Sequence, residues 1–206
     1  MIHTTHTPQT IAGFGLVETL VAIAILLVVI VGPMSIATNA STSTSFANQQ
    51  VIAYFLAQEG LELAQKGRDD FLLEQFDSAV DDRAWDEFTQ DTAPGDFWHC
   101  YSAGGCGLEI DTDAVDTLLV TDCDFLSTPE ADCQLHHTTD TSKRARYTHQ
   151  STVNTDMTDF TRIITMQVTI PNQEVLVTSE VRWRTDNQIA VQSTIATTYL
   201  YNVYGR

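Results

Sequence analysis

The amino-acid sequence predicts an α+β protein. A long N-terminal α-helix, half of it suited to a membrane and half amphipathic, should pack on a C-terminal antiparallel β-sheet of three or more strands. Three observations carry this expectation. Every residue from Leu20 to Val31 is apolar. Residues 52–64 place apolar and small side chains at helical spacing. Beyond residue 160, three segments rich in β-branched and aromatic residues are separated by short turn signals.

Charge placement divides the chain further. It has 206 residues, with 27 acids against 10 bases and a formal charge of -17. No Lys or Arg precedes Lys66, and Glu18 is the sole acid before Glu59. The acids concentrate between Asp69 and Asp140. An apolar N-terminal device joined to an acidic, water-facing domain follows, and nucleic-acid backbones are poor direct partners for that domain. The expected division is 14–35 membrane helix, 36–68 helix continuation, 69–150 acidic loop region and 151–206 sheet, preceded by residues 1–13.

With Phe14, Leu16, Val17, Gly32, Pro33 and Met34, the low-polarity stretch reaches about 20 residues, enough to cross hydrocarbon as a helix. A secretory signal would need a positive n-region, and the first 13 residues contain no Lys or Arg. A plain anchor leaves Glu18 unexplained, because a carboxylate deep in a membrane costs roughly 2.5–3.5 kcal/mol. A buried helix of a soluble domain this small has no need of so uniform an apolar run.

The stretch GFGLVE, Gly13 to Glu18, resembles the processing motif of type IV pilins and the pseudopilins of type II secretion. The resemblance implies that residues 1–13 are a leader, removed by a prepilin peptidase that cuts between Gly13 and Phe14, with methylation of Phe14 as the new N-terminus. Glu18 then becomes the fifth residue of the mature chain. It lies one helical turn from Phe14, and a carboxylate paired with a neighbour's terminal amine is tolerated in low dielectric where a lone one is not. Glu18 and Phe14 are therefore the expected assembly residues. The partners implied are other pilin or pseudopilin subunits, the peptidase, a membrane platform and its ATPase. The location implied is the cytoplasmic membrane in a single pass, with an extracytoplasmic head, and later a surface filament.

After Met34 the chain is polar but small, and Ser/Thr richness between Ser41 and Ser45 predicts local loosening of the helix. Ile52, Phe55, Leu56 and Leu63 form one stripe, interrupted by Glu59, while Ala53, Ala57, Gly60 and Ala64 form a second of small residues. Packing against a sheet is the expected use of both. Gly67, followed by Arg68 and Asp69, predicts the stop, giving a helix on the order of 75 Å long. This part of the helix and the C-terminal strands also resemble minor pilins related to the pseudopilin I class.

Between about Asp70 and Gln150 an irregular, disulfide-tied region is expected, with one short strand near Leu118 to Val120. Cys100, Cys106, Cys123 and Cys133 are even in number and allow three connectivities; sequential pairing closes the shortest loops. Zinc binding by these cysteines with His99, His136 and His137 lacks any C-x2-C pair. Asp111, Asp113 and Asp116 are candidate calcium ligands, although the Gly and distal Glu of a calcium loop are missing. Solvated acidic surface is the default, KRAR at 143–146 is a loop cluster, and calcium is the single cofactor candidate.

In the C-terminal segments, Val175, Val177, Val181 and Trp183 share one face, and Thr178, Glu180, Arg182 and Arg184 the other. The turns Pro171-Asn172-Gln173 and Thr185 to Gln188 predict an antiparallel meander. No catalytic motif is present, so an enzyme is not expected. The function expected is that of a filament subunit serving adhesion, motility, DNA uptake or secretion. The alternative is a single-span, membrane-tethered binding module, with calcium as its candidate ligand, that does not polymerise.

Overall fold

The computed structural model describes residues 15–78, 84–91, 96–111, 117–123, 133–141, 147–184 and 190–203, with side chains to residue 73 in the first segment. Helix α1 runs Leu16–Ser78 and α2 runs Ala84–Phe88. A 3-10 turn, Trp98–Tyr101, precedes seven strands: β1 Cys106–Ile110, β2 Leu118–Asp122, β3 Gln134–Thr138, β4 Tyr147–Thr148, β5 Thr155–Ile170, β6 Glu174–Trp183 and β7 Gln192–Tyr201. The chain divides into two compact units, Met1–Ala47 and Asn48–Arg206. The second is an α+β head in which its part of α1 packs on the antiparallel sheet.

Strand β5 organises the head. Of its 16 residues, those from Phe160 to Ile170 pair with β6 along one edge. On the opposite edge its first half takes β3, and Ile164 meets Cys106 of β1. Strands β5, β6 and β7 form the expected meander. The first turn keeps the Gln173 N–H on the Ile170 carbonyl at 3.0 Å, with Asn172 at φ 58°, a conformation Asn adopts at low cost. The second expected turn lies outside the described residues.

Alternation along β6 is as the side-chain pattern implies: Val175, Val177, Ser179, Val181 and Trp183 are buried, and their neighbours only half so. Register places Phe160, Arg162, Ile164 and Met166 of β5 on the same side. Against this face α1 lays Ala53, Leu56, Ala57, Gly60, Leu63 and Ala64, all buried. Phe55, which the sequence placed in the apolar stripe, is 63% exposed. The small-residue stripe, together with Leu56 and Leu63, is the side of the helix that meets the sheet.

The close approach has a specific site. A Cβ on Gly60 would collide with the Ser179 hydroxyl and come within 3.3 Å of the Arg162 Cδ. Ser179 interrupts the valine face of β6 because a larger side chain would push the helix away. Gly67 acts in the same way. A Cβ there would collide with the Phe97 ring, and α1 continues past it to Ser78. The expected stop at Gly67 is thus incorrect: the glycine admits an aromatic ring rather than capping the helix. Lys66 and Asp70, 2.6 Å apart, span the site one turn from each other.

Arg162 is wholly buried beneath the helix. One guanidinium nitrogen donates to the Glu59 carboxylate at 2.9 Å and, more weakly, to the Leu56 carbonyl at 3.4 Å. The other donates to the Leu108 carbonyl of β1 at 2.7 Å. Glu59, which seemed to break the apolar stripe, is the counter-ion of a core arginine.

The middle of the chain is more regular than expected. It supplies α2, the 3-10 turn and four strands of the one sheet, including β2 where a short strand was expected. The pairing is Cys100–Cys106 and Cys123–Cys133. The first disulfide joins a core of Trp85, Phe88, Phe97, Leu108, Ile164 and Val177. The second packs on Ile163, across the sheet. Local periodicity missed these short strands because their partners are distant in sequence.

Two measurements check this packing. Gly60→Ala should destabilise the head by about 1–3 kcal/mol through overpacking, although alanine favours a helix over glycine by about 1 kcal/mol. Glu59→Ala strips a buried guanidinium of its counter-ion and should cost about 3 kcal/mol, against less than about 0.5 kcal/mol for Glu62→Ala on the exposed face. Urea denaturation of the full chain in detergent reads both.

Candidate functional site

The first unit offers the chain's most distinctive surface. Helix α1 opens with the N–H groups of Glu18 and Thr19 on the Gly15 carbonyl, at 2.9 and 3.2 Å. Glu18 stands in the first turn, where a carboxylate is favoured by the helix dipole. The Thr19 hydroxyl turns back to the Leu16 carbonyl at 2.8 Å, hiding its polarity within the helix.

Fourteen large apolar side chains between Leu16 and Ile36 are exposed, from Val21 at 52% to Leu16 at 78%. None of the most apolar window of this helix is buried among the described residues. At about 1.5–3 kcal/mol per side chain, the uncovered transfer free energy is on the order of 20–40 kcal/mol. Such a surface must be covered by lipid or by other polypeptide. The helix is long and apolar enough to cross a membrane.

Pro33 sits inside α1, where it supplies no N–H for the helix ladder. The loosening expected at Ser41 to Ser45 is not found: α1 is continuous there. The hydroxyls explain this. Thr38 donates to the Met34 and Ser35 carbonyls, Thr42 to Asn39 and Thr44 to Ala40, at 2.8 to 3.2 Å. Threonine polarity is thereby folded back onto the helix itself.

Of the other residues singled out in the sequence, Gly13, Phe14, Asp113, Asp116 and the cluster 143–146 lie outside the described residues. Asp111 follows β1, and its N–H bonds the Thr117 carbonyl at 2.7 Å, closing the β1–β2 connection. All four cysteines are in disulfides, so none offers a thiolate to zinc. Among the described residues no group of three His, Cys, Asp or Glu is placed to hold a metal ion.

A second buried polar group in the head has no signature in the local residue pattern. Glu109 is 4% exposed on β1. One of its carboxylate oxygens accepts both the Thr148 hydroxyl and, at 2.7 Å, the His149 N–H. The His149 ring lies on Gly107, where a Cβ would come within 2.9 Å of Nε2. Burial, then the charge of Arg162, lowers the His149 pKa to about 3; the Cys133 and Gln134 backbones pull the other way without reaching hydrogen-bonding geometry. Burial also pulls the Arg162 pKa down, and Glu59 opposes it.

Taken together, these features define an α+β protein with a disulfide-tied head and, among the described residues, one helix long and apolar enough to span a membrane. Comparison with known protein families, curated proteins and solved structures gives no match.

Membrane placement of the apolar helix predicts the effect of charge within it. Ala24→Arg with Leu27→Arg should add about 2.5–3.5 kcal/mol per charge to insertion. The doubly substituted chain should leave the alkali-resistant membrane fraction; full retention would exclude a hydrocarbon setting.

Proposed function

We propose that this chain is the membrane-inserted precursor of a type IV pilus or pseudopilus subunit, a minor one. The observation that carries the proposal is an apolar helix left exposed among the described residues, with one carboxylate, Glu18, at its head. Lipid covers such a helix before assembly, and the helices of other subunits cover it afterwards. Both states remove the same apolar surface from water, so transfer between them is energetically feasible.

The resemblance of GFGLVE supplies the chemistry. A prepilin peptidase hydrolyses the Gly13–Phe14 amide, leaving a carboxylate on Gly13 and an amine on Phe14, which is then methylated. In the filament the Phe14 ammonium of one subunit meets Glu18 of its neighbour. The ion pair offsets the cost of a lone carboxylate in low dielectric and sets the stagger between subunits. A membrane platform and its ATPase extract the subunit, and the acidic head faces outward. That head makes direct DNA binding by this subunit unfavourable.

The alternative is a tethered binding module that never polymerises, and two experiments separate it from the filament subunit. Intact-mass measurement of the native protein should give a chain starting at methylated Phe14; one starting at Met1 or near Ser41 refutes the proposal. Glu18→Ala should be inserted and processed but enter filaments at least 10-fold less often than wild type. Normal incorporation would remove the role given to Glu18.

A further inference from the structure

Strand β4 has only two residues and pairs, among the described residues, with β3 alone, through Tyr147 and Thr148. What ties it to β1 is a side chain. One oxygen of the Glu109 carboxylate receives the Thr148 hydroxyl and the His149 N–H together. The His149 ring is 8% exposed and closes over Gly107, a position where any side chain would collide with it. Neither ring nitrogen has a hydrogen-bond partner within the described residues.

The charges around this ring are unequal. From β5 the Arg162 guanidinium repels a charged imidazole, and its own counter-ion, Glu59, lies on α1. From β3 the His136 ring adds repulsion whenever it is charged. From β1 comes Glu109, one oxygen of which holds two donors while the other has no hydrogen-bond partner among the described residues. From the chain entering β3 come the Cys133 and Gln134 backbones, the only other attraction. The closed site therefore accepts a neutral imidazole and resists a charged one.

We propose that His149 is the bolt of an acid-released latch: proton uptake by its ring frees β4 from Glu109 and uncovers the outer face of β1, while the helix–sheet core stays folded. The released segment is small, and its loss leaves intact the core contacts of α1 with β5 and β6. The proposal is independent of whether the chain forms filaments.

The sign follows from linkage. The ring titrates near 6.5 when free and near 3 when buried. Closure is therefore fully favoured above about pH 6.5 and is progressively lost as pH falls from there toward about 3. Between pH 7 and pH 5 the opening equilibrium should rise about 25-fold.

The His149 amide is the direct reporter, since its N–H is one of the two donors to Glu109. Hydrogen exchange of the full chain in detergent micelles, corrected for intrinsic rates, should show its protection falling about 25-fold from pH 7 to pH 5. Amides of Val177 and Val181 in β6 should change less than about 2-fold. His149→Asn, which cannot titrate, should reduce the β4 change to less than about 2-fold. Constant protection at His149 in the wild type would overturn the latch. So would an equal loss in β6, which would mean that the whole head unfolds, or an undiminished loss in His149→Asn.

Discussion

A guanidinium buried under a helix constrains the rest of the head. Arg162 has lost its water, and desolvating such a charge costs several kcal/mol unless partners replace the solvent. Three do so: the Glu59 carboxylate and Leu56 carbonyl from the helix, and the Leu108 carbonyl from β1. The helix, β1 and β5 are therefore tied at one point. A slip of β5 by one residue would turn Arg162 to the other side of the sheet. Sliding the helix by one turn would carry Glu59 out of reach. The glycine–serine contact beside it, Gly60 on Ser179, lets the helix lie close enough for the three bonds to form.

The two units stand in different relations to water. In the head, apolar side chains from α1, α2, the 3-10 turn and the sheet cover one another, and disulfides tie both faces. The first unit contains a helix whose apolar residues are exposed among the described residues. At the head of its apolar part Thr19 returns its hydroxyl to the Leu16 carbonyl, which suits a helix whose surroundings offer few hydrogen bonds. The first unit therefore depends on an environment that the head does not need.

Polar groups inside the head contrast with that helix. Glu109, His149 and Arg162 are all removed from solvent, yet they are held differently. Arg162 is charged and answered by Glu59, so it braces the fold. His149 is kept neutral by its surroundings, so the same burial that orders β4 makes that order conditional on pH.

The parts of this protein legible in its sequence are those where a local pattern has one physical outcome. An unbroken run from Leu20 to Val31 leaves no polar face, so a membrane-compatible helix follows from composition alone. Strict alternation in β6 sets its two faces because a strand has a period of two. Tertiary structure alone decided matters that depend on distant partners. Gly67 reads as a helix stop until Phe97 is placed against it, and Glu59 reads as a flaw in a stripe until Arg162 arrives from 103 residues away. Likewise β1, β3 and β4 acquire their roles only by pairing with, or bonding across to, strands elsewhere in the chain. The physical reason is common to these cases: hydrophobic periodicity is a property of neighbours in sequence, whereas close approach and charge compensation belong to neighbours in space.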